Sequence, residues 1–185
     1  MSGISGRNRC DCFRMKDIDA QIMTNYILTA EVAEKKLRRM AYEIVENNFE
    51  EKHLILAGIR ESGSVIARII QHLLVEVANV NTQLLTVTLD KKAPREVEVS
   101  EKIDFNNKVI ILIDDVANSG KTLSYALKPF LEFQPKKIQT LVLVERSHKV
   151  FPVQPDYVGL SVATTLQEHI YVEVEGEKVK GAYLQ

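Results

Sequence analysis

Five successive apolar positions, Val109 to Ile113, end at two carboxylates, Asp114 and Asp115. A strand without polar alternation belongs in the middle of a parallel sheet covered on both faces. Apolar runs at Leu54–Ala57, Leu84–Leu89 and Ile138–Val144 predict three more strands. Between them the period changes to that of a helix. Val32, Ala33, Leu37, Met40, Ala41, Ile44 and Val45 predict a helix from Ala30 to Asn48 with Thr29 as its N-cap. Further helices are expected from Ser64 to about Leu74 and from Thr122 to Phe133. Strand and helix alternate, which predicts an α/β fold around a mainly parallel sheet. After Val144 the elements shorten to a brief strand at Tyr157-Val158. A hairpin is then expected from Ile170–Val174 and Lys178–Tyr183 around Glu175-Gly176-Glu177. Met1 to Asn25 lacks periodicity and is expected to be a flexible extension outside the core, with Met15 and Met23 as alternative starts.

Composition narrows the class. With 185 residues, 45% hydrophobic and 26% charged, the chain suffices for one domain over residues 26–185. A net charge of −1 offers no global attraction for nucleic acid, so an RNA site would have to be a local patch. Lys35, Lys36, Arg38 and Arg39 share the polar face of the first helix and read as a solvated surface. No apolar run approaches a membrane span. Cys10 and Cys12 have no further cysteines to pair with, which points to a reduced cytoplasm.

The chemistry concentrates after the central strand. In open α/β sheets ligands bind at the carboxyl edge of the strands, which is where Asp114 and Asp115 stand. The turn Val116-Ala117-Asn118-Ser119-Gly120 leads through Lys121 and Thr122 into a helix and suits a phosphate; paired carboxylates suit sugar hydroxyls or magnesium. Ser119-Gly120-Lys121-Thr122 looks like the tail of a Walker A loop, but that pattern needs glycine at 115, and Asp115 would repel a phosphate there. A second loop, Gly58-Ile59-Arg60-Glu61-Ser62-Gly63, leaves its strand at the same edge, and Arg60 could meet an anion.

The segment Val109 to Thr122 closely resembles the phosphoribosyl pyrophosphate (PRPP) loop of type I phosphoribosyltransferases. Leu28-Thr29-Ala30, Ala57-Gly58-Ile59-Arg60, Thr88-Leu89, Leu112 to Val116 and Asp156-Tyr157-Val158-Gly159 follow in the order and spacing of that family. The chain is most similar to the bifunctional pyrimidine operon regulators with uracil phosphoribosyltransferase activity. The resemblance implies the type I fold, a central sheet flanked by helices with a small hood and a C-terminal hairpin. It also implies that Ile59 to Gly63 is a pyrophosphate loop, which in that family often holds a non-prolyl cis bond. Tyr157 and Val158 take the places of the hood pair over the base, and Gln154 is a candidate for the base oxygens. Lys91, Lys92 and Arg95 are flap candidates for pyrophosphate, on a loop shorter than the regulators'. Magnesium is implied through PRPP rather than through direct protein ligands, and self-association to a dimer or higher oligomer is expected.

Two positions separate the bases. Purine enzymes of the family usually carry a carboxylate where this chain has Asn118, and a lysine where it has Gln154. An amide cannot act as the base for purine N7, which favours uracil. RNA binding is disfavoured, because Asn47, Gln154 and Leu160 replace basic residues of the regulators, although Arg146, His148 and Lys149 remain. The expected reaction joins uracil to PRPP, with Asp114 and Asp115 on the ribose, residues 116–122 on the 5′-phosphate and Arg60 with the 59–63 loop on pyrophosphate. No nucleophile is required, and His53, His72 and His169 are expected to be structural. The alternatives are a purine salvage transferase and a nucleotide-sensing RNA-binding regulator with little catalysis.

Overall fold

The computed structural model describes residues 25–78, 80–90, 96–163 and 168–185. In chain order the elements are β1 (Asn25–Thr29), α1 (Ala30–Asn47), β2 (His53–Ile59), α2 (Arg60–Ala78), β3 (Asn81–Leu89), β4 (Val97–Val99), β5 (Val109–Ala117), α3 (Lys121–Ala126), α4 (Lys128–Leu131), β6 (Lys137–Arg146), β7 (Tyr157–Val162), β8 (Ile170–Glu175) and β9 (Lys178–Leu184). The main sheet has the order β4-β3-β2-β5-β6-β7. Its pairs are parallel except β3–β4, which is antiparallel. This is the type I phosphoribosyltransferase architecture that the motifs imply.

Alternation along the strands divides the core into two faces. Leu54, Leu56, Val109, Ile111, Ile113, Leu141 and Leu143 face α1, α2 and a small second sheet. Ile55, Ala57, Ile59, Ile110, Leu112 and Val142 face α3, α4 and the segment around Phe105. The second sheet, β1-β9-β8, is the hood; its strands are antiparallel and join residue 25 to residue 184. The hairpin between β8 and β9 turns at Gly176, whose φ of +58° is a glycine conformation.

Thr29 caps α1 as expected, its hydroxyl accepting the Val32 N–H at 3.4 Å. Other boundaries differ. The expected loop at 58–63 is absent, because β2 runs to Ile59 and α2 starts at Arg60; the turn is made by one residue, Arg60, at φ +48°. No cis peptide bond occurs among the described residues. The expected helix Thr122–Phe133 is broken into α3 and α4, since Pro129 has no N–H to offer the Tyr125 carbonyl. β1 and β4 were not expected, and Asn25, assigned to the extension, is the first residue of β1. The rest of that extension lies outside the described residues, as do Lys91, Lys92 and Arg95.

Candidate functional site

β5 continues past Ile113 to Ala117, so the two acids lie within the strand rather than beyond it. Asp114 is 1% exposed, and one of its oxygens accepts the Asp115 N–H at 2.9 Å. Asp115 repeats the contact one residue on, accepting the Val116 N–H at 2.9 Å. Asp115 is half-buried and reaches open space, whereas Asp114 is buried and lines none of it.

That space is a cavity of about 360 Å³ bounded by Ser62, the run Asp115 to Leu123, His169 and the β8 residues Ile170 to Val172. All seven expected phosphate-loop residues, Val116 to Thr122, line it. The turn is closed by Gly120 at φ +77°, the left-handed cap position before α3. Ser119 Oγ accepts the Lys121 N–H at 3.3 Å, and Gly120 C=O accepts both the N–H and the hydroxyl of Ser124 at 3.0 Å. The Asn118 side-chain oxygen is buried and finds no hydrogen-bond partner among the described residues.

A second cavity of about 180 Å³ adjoins the first, lined by Ile59, Arg60, Glu61, Ser62 and Asp115. Ser62 and Asp115 thus border both. Gly63 makes this approach possible, because a Cβ there would stand 2.7 Å from the Ile113 carbonyl oxygen. The first turn of α2 therefore lies against the backbone of β5, with the positive end of the helix dipole at the cavity.

Three expectations for the base side fail. Tyr157 is 1% exposed and faces α1; its ring belongs to the core, and its hydroxyl lies 3.4 Å from the amide nitrogen of Asn48, at the far end of α1. It pairs with Leu141, several residues below the carboxyl edge, and cannot stack on a ligand in the cavity. Burial raises its phenol above the usual tyrosine range, against the lowering effect of hydrogen bonds with Asn47, Asn48 and Gln139. Val158 packs its side chain into the opposite core face, and its carbonyl accepts from Arg39 at 2.5 Å. Gln154 is exposed and lines neither cavity; its segment crosses the α3 face, whereas the hood closes from the α1 and α2 face.

β8 takes the position that Tyr157 and Val158 were expected to hold. His169, expected to be structural, and Tyr171 both border the cavity. Their rings are 6.4 Å apart, and Tyr171 stacks on Tyr183 at 5.6 Å, with Tyr26 edge-on to Tyr183 at 5.8 Å. The Tyr26 hydroxyl donates to Glu173 at 3.0 Å, which with burial raises its pKa. A strand alternating Ile170-Tyr171-Val172 was legible; its delivery to the β5 edge required the fold.

Residues 23–177 match the phosphoribosyl transferase domain family, to which the chain belongs. Proteins of this family are pentosyltransferases that bind PRPP, generally with magnesium, and a nucleobase. The chain is 31% identical over 163 residues to the bifunctional protein PyrR of Haemophilus ducreyi, covering 83% of this chain and 91% of that one. It is 34% identical over 158 residues to the bifunctional protein PyrR of Streptococcus mutans, covering 82% and 89%. The hypoxanthine phosphoribosyltransferase of Trypanosoma cruzi superposes with a TM-score of 0.72 at 13% identity, covering 86% of this chain and 95% of that one. That likeness is one of fold.

Proposed function

We propose that the protein transfers the phosphoribosyl group of PRPP to uracil, giving UMP and pyrophosphate. The observation that carries the reading is the convergence of Asp115, the Asn118–Thr122 turn and the β8 hood on one cavity, with Arg60 and Ser62 beside it. The bond from C1′ to pyrophosphate breaks as the bond to uracil N1 forms, and the N1 proton leaves. The 5′-phosphate occupies the turn at 118–122, anchoring the sugar away from the reacting bond. Asp115 accepts the ribose hydroxyls and stabilises the positive ring; Asp114 positions it through the Asp115 N–H. Arg60 and the first turn of α2 receive the pyrophosphate. The base lies toward His169 and Tyr171.

Among the described residues no three carboxylate or histidine side chains converge as a metal cage. Magnesium would come with PRPP, as the resemblance implies, and would neutralise charge on its phosphates. Uracil is preferred because Asn118, an amide, cannot manage a proton at purine N7, and because the motifs resemble the pyrimidine regulators. Gln154 carries no weight in that choice, given its position. The short β3–β4 connection favours one competing reading, a nucleotide-binding regulator with little turnover. The resemblance further implies self-association, which light scattering on the purified protein measures.

The test is magnesium-dependent pyrophosphate release from PRPP with uracil, hypoxanthine, guanine or no base. Release with uracil alone supports the proposal, and release with a purine overturns the choice of base. Binding of PRPP or UMP without release supports the regulator. Asp115→Asn should lower turnover on the order of a hundredfold or more, the scale of losing one charge-stabilising group in a site. Asp114→Asn should act less, through position.

A further inference from the structure

The segment between β6 and β7 lies across the phosphate turn. Val150 and Phe151 both donate their backbone N–H groups to the Ser119 carbonyl, at 3.1 and 3.0 Å. The Phe151 carbonyl comes within 3.3 Å of where a Cβ on Gly120 would stand, and the Phe151 ring lies edge-on to Tyr125 of α3 at 6.3 Å. These contacts bind a strap of irregular backbone to the back of the cradle. The strap has no helix or sheet ladder of its own to hold it there.

An ion pair occupies its root. Glu145 stands at the end of β6, paired in register with Ala117 as that residue enters the turn. Lys149 Nζ donates to Glu145 Oε2, and the two side chains are only 10% and 9% exposed. The ion pairs Lys35–Glu31 and Arg38–Glu76, by contrast, lie on the surface. Lys149 immediately precedes the two residues that grip Ser119. A buried pair adds little net stability over well-packed apolar groups, but it fixes geometry, since neither charge tolerates another arrangement without its partner.

We infer that Glu145 and Lys149 are positioning residues for the phosphate cradle. The pair sets the strap, the strap sets Ser119, and Ser119 sets the turn in which a phosphate binds. The assignment of a phosphate to that turn rests on the proposed function; the mechanical link from ion pair to turn does not.

The experiment is residue-resolved amide hydrogen exchange on the full chain, with calorimetric titration of magnesium–PRPP, for Lys149→Met and for Glu145→Leu with Lys149→Met. The double variant leaves no buried charge alone and keeps the volume, so it covers a folding failure of the single one. The Val150 and Phe151 amides are expected to be protected in the parent protein and to exchange on the order of tenfold faster in both variants, as local opening becomes easier. The β5 amides should stay protected. PRPP affinity should fall by about tenfold, with KM rising more than kcat falls, because the turn is misplaced before binding rather than in the transition state. A charge-swapped protein, Glu145→Lys with Lys149→Glu, should recover part of both.

Unchanged exchange at Val150 and Phe151 in a folded variant overturns the link. Faster exchange with unchanged PRPP affinity overturns the cradle role. If the parent protein binds no PRPP at all, the proposed function fails, and the exchange data alone decide whether the pair holds the strap.

Discussion

Replacing Gly63 by alanine tests the closest approach in the site. The new Cβ would lie 2.7 Å from the Ile113 carbonyl oxygen and 3.2 Å from the Asp114 Cα, both backbone atoms of a strand paired on each side. Neither can yield, so α2 must retreat by about 0.7 Å to reach ordinary contact at 3.4 Å. Overpacking of this kind costs about 1–3 kcal/mol, and the better helix propensity of alanine returns about 1 kcal/mol. The net is roughly 0–2 kcal/mol, worth up to about 8 °C in Tm for a chain of this size. The site should suffer more than the fold, because Arg60 and Ser62 ride on the turn that moves. A misplacement approaching 1 Å can lower turnover on the order of a hundredfold. Thermal unfolding and PRPP titration, with Arg68→Ala as an exposed control on the same helix, separate the two effects. A Gly63→Ala protein more stable than its parent, with unchanged PRPP affinity, would show that α2 does not press on β5 as described.

Three other outcomes are expected. Tyr171→Ala should weaken UMP binding by about 1–3 kcal/mol, the range for a lost stacking partner, whereas Tyr157→Phe should leave it unchanged and cost only about 1 kcal/mol of stability for the hydroxyl; titration and denaturant melts read the two. Because burial raises the folded-state pKa of Tyr157 above its ordinary 10.0, the neutral phenol is favoured by folding. Its contribution is complete below pH 10.0 and is lost as pH rises through the folded value, so tyrosinate absorbance should show Tyr157 ionising late, as Tyr26 does, but together with alkaline unfolding, and Tyr157→Phe should remove that step. Phe105 is buried between Phe130 and Phe133, with ring centroids 4.9 and 5.3 Å away, so Phe105→Ala should cost about 3–5 kcal/mol in denaturant unfolding.

The strands of the main sheet were legible because buried parallel strands are uninterrupted apolar runs, and α1 because its cap and period agree. Their ends were not, since polar residues such as Asp114 and Asp115 remain in the ladder whenever a neighbouring strand continues beside them. The loop expected at 58–63 rested on two glycines. In the structure Gly63 serves close packing within a helix, and a single left-handed arginine makes the turn. The phosphate turn could be read locally because one contiguous segment builds it. The hood could not: Tyr157 and Tyr171 are both aromatic residues in short strands, and only the packing of β8 over β5 and of β7 against α1 tells them apart. β1 and β4 are too short for periodicity and exist through their partners.

The hood draws on both extremes of the described chain, with Asn25 registered against Leu184 across 158 residues of intervening sequence. During synthesis the main sheet has all its strands once Val162 has left the ribosome, but the cover over the cavity awaits β9. At about 5–20 residues per second this leaves an interval of a second or more in which the cradle is formed and uncovered. A nascent chain stalled after β7 should therefore hold the phosphate turn without the wall that faces a base. Capture of a base-bearing nucleotide would then mark completion of the hood, and inorganic phosphate would not distinguish the two stages.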